Sequence, residues 1–145
     1  MDFFLGYSDI SNEAYNVQAL SRYLDMANIY AYDYHGYWDQ VTGHHSAIDQ
    51  SQGTYYAKYA MDYYTKNGFA KGQLNLGIPF YGQSYTLESA GNANVGAPAT
   101  GPGAPGKFSN QQGMLTFFEI CQKGKEFTYF RIWSISLVNS WRLGS

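Results

Sequence analysis

The side chains best suited to chemistry follow one short apolar run, residues 28–32. The run leads directly into Asp33 and His35, and Trp38 follows a few residues later. A carboxylate and neighbouring phenols can orient or protonate a substrate, and an indole can stack on the flat face of a sugar or a base. α/β proteins place such groups at the end of a rigid strand and on the exposed loop after it. The stretch 28–39 therefore predicts a functional site, and the alternative is a strand end with a polar cap.

Composition is typical of an ordinary globular protein. The chain has 145 residues, 45% apolar and only 14% charged, which is enough for one domain with a sizeable core and argues against disorder. Its 15 Tyr residues suit either stacking on ligands or half-buried packing. The net charge is −2 with no basic run, which argues against a nucleic-acid partner. No apolar run reaches the length of about 18 residues that a membrane span needs, and the N-terminus lacks the pattern of a signal peptide.

The first part of the chain predicts alternating strands and helices. Short apolar runs predict strands over 2–7, 27–33 and 73–80, and apolar spacing predicts helices over 17–25 and 54–68. The second predicted helix places four residues on one face: Tyr56, Tyr59, Ala60 and Tyr63. This alternation predicts βαβ units and a parallel sheet.

The remaining segments are less regular. Residues 8–12 are turn-like, and 34–53 form a polar loop of a length that indicates function or disorder. The Gly- and Pro-rich stretch 88–113 predicts either a flexible linker or an ordered excursion of an inserted subdomain. Residues 114–121 predict a short helix, and the apolar tail 127–143 predicts a strand.

Four stretches, in order along the chain, resemble a known family. They contain Tyr-Ala-Tyr-Asp at 30–33, Thr-Gly-His-His at 42–45, Gly-Ile-Pro-Phe-Tyr-Gly at 77–82 and Phe-Glu-Ile-Cys at 118–121. They resemble the sixth strand, the loop after it, the seventh strand and an inserted subdomain of family 18 glycoside hydrolases, the chitinases and chitinase-like proteins of animals. The resemblance covers roughly residues 1–121.

The resemblance implies an α/β fold, a partial (β/α)8 TIM barrel of about strands 5–7 with part of an α+β insertion subdomain. The implied domains are a barrel portion at 1–80, part of the insertion at 81–126 and a divergent tail at 127–145. The family uses substrate-assisted catalysis, an exception to the usual two-carboxylate scheme: the acetamido oxygen of the substrate attacks the anomeric carbon. A glutamic acid of an Asp-x-x-Asp-x-Asp-x-Glu motif protonates the leaving oxygen.

That motif does not occur in the sequence. We therefore expect the chain to be a C-terminal fragment that begins after the catalytic strand. We also expect the 145-residue chain to be inactive and to fold poorly in isolation, because an open piece of barrel leaves sheet edges unpaired.

The resemblance assigns supporting catalytic roles at the end of the central strand. Tyr32 matches the tyrosine that donates a hydrogen bond to the acetamido carbonyl, where charge develops during the reaction. Asp33 matches the aspartate that contacts the sugar at the cleavage point. Tyr30 stands where the family usually has Met, and is expected to line and narrow the floor of the pocket.

Three more substrate-binding residues follow from the resemblance. Trp38 matches an aromatic platform on the leaving-group side, and Tyr81 matches a cleft tyrosine at the root of the insertion. Gln83 stands where Arg is common, so a charge-assisted contact is lost. Cys121, the only cysteine, matches one that pairs with a cysteine further downstream.

The leading hypothesis is a fragment of a secreted chitinase that acts on β-1,4-linked N-acetylglucosamine polymers, with chitin or a chitooligosaccharide as partner and no cofactor. The alternative is a chitinase-like binding protein without activity, and a free-standing lectin is a third possibility. No metal site is predicted, because the histidines lack ligand spacing. They are His35, His44 and His45. A two-carboxylate pair of Asp33 with Glu88 or Glu119 finds no support in spacing.

Overall fold

The computed structural model describes residues 2–7, 14–50 and 53–126, and these residues form two compact units. Among the described residues, unit 1 draws on 2–7, 14–34, 47–50 and 53–78, and unit 2 draws on 35–46 and 79–126. The loop 35–46 thus groups with the later part of the chain, and the division at 80/81 stays a prediction. No helix among the described residues is long and apolar enough to cross a membrane. The predictions for 8–12 and 127–145 lie outside the described residues.

Unit 1 is built on a parallel sheet with the strand order β1-β2-β3. Its elements are β1 (Asp2–Gly6), α1 (Val17–Tyr23), β2 (Met26–Tyr30), α2 (Ala57–Lys66), the 3-10 turn Lys71–Gln73 and β3 (Leu74–Leu76). Adjacent parallel strands need a crossover, and each helix supplies one. The predicted βαβαβ order and the parallel sheet are confirmed.

One face of this sheet and both helices form the core. Ala27 and Ile29 are fully buried on β2, whereas Met26 and Tyr30 are more than a third exposed, so side chains alternate between two faces. The buried core residues are Leu5, Tyr7, Val17, Leu24, Ala27, Ile29, Ala31, Ala57, Ala60, Tyr64, Phe69 and Leu74.

The predicted ends of two strands in unit 1 are wrong. β3 ends at Leu76 rather than at residue 80. The central strand ends at Tyr30 rather than at residue 33, because the chain leaves the ladder before a residue with positive φ, Asp33. The buried residues of α2 are Ala57, Ala60 and Tyr64, and Ala60 is the member of the predicted face that is fully buried. The small alanines allow the helix to lie close to its neighbours, and the Tyr64 hydroxyl donates to the Gly6 carbonyl at 2.5 Å.

Unit 2 contains antiparallel strand pairs. Its elements are the 3-10 turn Tyr37–Asp39, β4 (Tyr81–Gln83), β5 (Tyr85–Leu87), β6 (Ala99–Pro102), β7 (Met114–Thr116) and α3 (Phe117–Glu126). β4 pairs with β7, and β5 pairs with β6. Because β6 lies within 88–113, this stretch is an ordered excursion and not a flexible linker.

The helix predicted over 114–121 begins later than expected. Met114–Thr116 is a strand because it pairs with β4, more than thirty positions earlier in the chain. Thr116 and Glu119 then hydrogen-bond each other reciprocally: the Thr116 N–H donates to Glu119 Oε2 at 2.9 Å, and the Glu119 N–H donates to Thr116 Oγ1 at 3.4 Å. This capping box starts the helix at Phe117.

Candidate functional site

The end of β2 brings three predicted site residues together. The Tyr30 hydroxyl donates to Asp33 Oδ2 at 2.6 Å. The Tyr30 and Tyr32 rings lie with centroids 3.8 Å apart and planes tilted by 34°. A carboxylate and two phenols therefore form one cluster at the C-terminal end of a parallel strand, where barrel enzymes carry their sites.

The backbone of Asp33 helps to form this cluster. Its φ is +58°, in the left-handed region that Asp tolerates better than most residues with a side chain. The turn bends the chain after the strand, and the Asp33 carboxylate hydrogen-bonds to the residue three positions earlier. Asp33 remains half-buried, so part of its surface meets solvent.

The Tyr32 phenol is a hydrogen-bond donor at neutral pH. Burial raises the pKa of Tyr32, and the negative charge of Asp33 raises it further. The phenol therefore keeps its proton and can donate to a carbonyl oxygen.

Gly77 is a site residue that the sequence reasoning missed. Its N–H donates to the Ile29 carbonyl at 2.9 Å. A Cβ there would lie 3.0 Å from Tyr32 Cε1 and 3.0 Å from the Ile29 oxygen. The absence of a side chain thus makes room for the Tyr32 ring. A glycine within the predicted strand 73–80 is the available signal, because glycine in a strand often marks a close approach of another group.

Trp38 lies in unit 2, on the 3-10 turn Tyr37–Asp39. It is 51% exposed and packs edge-on against Tyr37, with centroids 5.4 Å apart. A Cβ at Gly36 would collide with the indole, so glycine is needed there for space. Asp39 fixes the turn: its Oδ2 accepts the Gly36 N–H at 3.2 Å and lies 3.0 Å from His35 Nδ1. The turn presents an exposed indole to solvent.

Tyr81 and Gln83 also lie in unit 2, on β4. They are two residues apart, so they share one face of the strand, and both are half-buried. The Tyr81 ring lies 5.2 Å from the His45 ring, and His45 Nε2 lies 3.3 Å from the Tyr81 carbonyl oxygen. His45 is fully buried and so supports the start of this strand.

The sequence of the chain matches the model of one protein family. The model of the family described as "Glycosyl hydrolases family 18" matches residues 5–141. The chain belongs to glycosyl hydrolase family 18. The match extends to residue 141, beyond the limit of about 121 that the motifs indicate.

Relatives in the family include both chitinases and a pseudo-chitinase. Probable chitinase 10 of Drosophila melanogaster is 42% identical over 130 residues, covering 86% of this chain and 6% of that protein. The crystal structure of an immunomodulatory active chitinase from Trichuris suis superimposes with a TM-score of 0.82 at 28% identity, covering 86% of this chain and 36% of that one. Human YKL-39 is described as a pseudo-chitinase with retained chitooligosaccharide-binding properties. Its structure superimposes with a TM-score of 0.70 at 40% identity, covering 75% of this chain and 32% of that one.

Membership in family 18 defines the fold. The chain spans about a third of each solved relative. Its three parallel strands with two crossover helices are part of a (β/α)8 barrel. The assignment of residues 81–126 to an α+β insertion stays a prediction.

The histidines and the cysteine of this family-18 chain were also candidates for chemistry. Burial lowers the pKa of His44, and the nearby His35 and His45 lower it further, so its imidazole is neutral at neutral pH. Within the described ranges, no group of three or more His, Cys, Asp or Glu side chains is arranged to hold a metal ion. Cys121 is exposed on α3, and its pairing stays a prediction.

Glu119 is the second carboxylate considered for chemistry, and it is only 3% exposed. Its Oε1 accepts the N–H groups of Phe108 and Ser109 at 2.7 and 3.1 Å, and its Oε2 accepts from Thr116. Burial raises its pKa, but the hydrogen bonds donated by Phe108, Thr116 and Ser109 outweigh burial and hold the pKa at about 2. This carboxylate is therefore an internal support rather than a catalytic acid.

Proposed function

We propose that this chain is part of a chitinase that hydrolyses β-1,4-linked N-acetylglucosamine polymers by substrate-assisted, retaining catalysis. Its contribution is to bind the N-acetyl group and the sugar at the cleavage point, through Tyr32 and Asp33. The 145-residue chain itself is inactive, because the sequence contains no Asp-x-x-Asp-x-Asp-x-Glu motif to supply the general acid. The parent protein acts outside the cell.

The observation that carries the proposal is the cluster at the end of β2. In substrate-assisted catalysis the acetamido oxygen attacks the anomeric carbon, so the acetamido group must be held in one orientation. A protonated phenol at Tyr32 donates to the acetamido oxygen. The Asp33 carboxylate lies beside it, and its negative charge stabilises the positive charge that develops on the sugar ring.

The other predicted residues have binding roles in this proposal. The exposed face of Trp38 offers a stacking surface for a sugar on the leaving-group side. Tyr81 and Gln83 contact the chain of sugars through one face of β4. Gln83 contributes a neutral hydrogen bond where a charged donor would bind more strongly.

Titration with an oligosaccharide tests this function. Under conditions in which a cooperative thermal transition shows that the chain is folded, we expect it to bind chitotetraose and not cellotetraose, which has the same linkage but no acetamido groups. Tyr32→Phe should weaken binding about tenfold, since one hydrogen bond to the acetamido group is lost. The chain should release no reducing ends from chitotetraose. Equal affinity for both sugars, or turnover above background that survives Asp33→Asn, contradicts the proposal.

A chitinase-like binding protein without hydrolase activity is the second candidate. It is favoured by the relationship to human YKL-39, a pseudo-chitinase. The transcript immediately upstream of the codon for Asp2 discriminates between the two. An open frame that encodes the Asp-x-x-Asp-x-Asp-x-Glu motif supports the enzyme, and a stop codon supports the binding protein.

A further inference from the structure

Tyr30 contacts both of the residues that the proposed function uses. Its hydroxyl lies 2.6 Å from Asp33 Oδ2, within the range of about 2.5–2.7 Å for a hydroxyl bound to an ionised carboxylate. Its ring lies against that of Tyr32, with centroids 3.8 Å apart. The backbone of Tyr30 pairs with that of Gly6 at the end of the β1–β2 ladder. The sheet therefore holds Tyr30 in place while its side chain makes both contacts.

We propose that Tyr30 is a positioning residue: it holds the Asp33 carboxylate and the Tyr32 ring in the arrangement that receives an N-acetylglucosamine unit. The inference rests on the proposed function. It assigns Tyr30 a role through its hydroxyl, in addition to any contact of its ring with the sugar.

The physical reason is preorganisation. Asp33 stands three residues beyond Tyr30, outside the strand, and its short side chain can rotate about χ1. A charge-assisted bond from a residue in the sheet selects one orientation of the carboxylate before any sugar arrives. The ordering cost is then met during folding rather than during binding. A thioether or a phenyl ring at position 30 has no hydrogen to donate, so neither can replace the phenol.

The first test needs no sugar. In the full chain labelled with ¹³C at aspartate carboxyl groups, Asp33→Asn identifies the Asp33 resonance by its loss. We expect Tyr30→Phe, which removes only the hydroxyl, to shift this resonance at neutral pH. Tyr59→Phe is the matched control, because Tyr59 is 37% exposed and Tyr30 is 38% exposed in the same unit. An unshifted Asp33 resonance in Tyr30→Phe overturns the inference, whether or not the chain binds sugar.

The second test is a double-mutant cycle in which NMR titration measures the affinity of each variant for chitotetraose. Tyr30→Phe should weaken binding about fivefold to tenfold in the unaltered chain. The same change should have little effect in an Asp33→Gly background, since glycine accepts the positive φ and leaves no carboxylate to position. Equal losses in both backgrounds overturn the inference, because Tyr30 would then act independently of Asp33. If the unaltered chain binds no chitotetraose, the proposed function fails, and the carboxyl resonance still decides whether Tyr30 holds Asp33.

Discussion

Two carboxylates, one in each unit, are both hydrogen-bonded but differ in what surrounds them. Glu119 is buried, and both of its oxygens accept bonds from the backbone of one turn and one strand. Asp33 is half-buried at a strand end, and its Oδ2 accepts from a side chain, the Tyr30 phenol. Backbone donors belong to the fold, whereas a side-chain donor beside solvent orients a group and leaves it accessible. The surroundings, rather than the carboxylate itself, separate the structural support at Glu119 from the proposed binding role of Asp33.

The largest effect is expected from breaking the support at Glu119. Glu119→Gln replaces one acceptor oxygen by an NH2 group that faces backbone donors, so buried N–H groups lose their partner. Amide hydrogen exchange at Phe108, Ser109 and Thr116 should accelerate by roughly tenfold or more. Glu88→Gln is the control because Glu88 is exposed. Unchanged exchange at all three amides contradicts the supporting role.

The pH dependence at Glu119 comes next. Its pKa is lowered from 4.5 to about 2, so the ionised form stabilises the fold fully above about pH 4.5. This stabilisation decreases as the pH falls from 4.5 towards 2. The amide chemical shifts of Phe108 and Thr116 should titrate with a midpoint near 2, and the transition should vanish in Glu119→Gln. A midpoint near 4.5 shows that these hydrogen bonds do not form.

A smaller effect is expected at Gly77, the glycine beside the proposed binding residue Tyr32. Gly77→Ala places a methyl group 3.0 Å from Tyr32 Cε1 and from the Ile29 carbonyl. Such overpacking costs about 1–3 kcal/mol, and the movable Tyr32 ring should take up much of the change. Chitotetraose affinity should fall and Tyr32 ring resonances should shift. Gly72→Ala is the matched control, since no atom lies within 4 Å of its added Cβ. If both substitutions change the chitotetraose affinity and the Tyr32 ring resonances equally, Gly77 has no special role in the site.

Local signals explain which parts of the fold the sequence predicts. The strands and helices of unit 1 can be predicted from the sequence, because the spacing of apolar residues within each element indicates its type. The sequence predicts a helix over Met114–Thr116 because the strand partner of this segment, β4, lies far away in sequence. The capping box of Thr116 and Glu119 would have corrected the helix start, since its spacing is visible in the sequence.

The candidate site divides in the same way. Tyr32 and Asp33 follow from motif resemblance, because a motif preserves residue type and order. The hydrogen bond between Tyr30 and Asp33 does not follow from the motif. It depends on the positive φ of Asp33 and on the directions of the two side chains. The role of Gly77 depends on the close approach of the Tyr32 ring, which sequence spacing does not reveal.

The smallest effect on stability, and the sharpest contrast with Glu119, is expected at Asp33. Asn tolerates the left-handed conformation, and its carbonyl oxygen can still accept from the Tyr30 hydroxyl. Asp33→Asn should therefore leave amide exchange along β2 unchanged within about twofold. Chitotetraose affinity should nevertheless fall about tenfold, because the charge is lost. Loss of protection along β2 would mean that Asp33, like Glu119, supports the fold. Intact protection with weakened binding would separate the two carboxylates by function, since similar amide-for-acid changes would affect the fold in one unit and the ligand in the other.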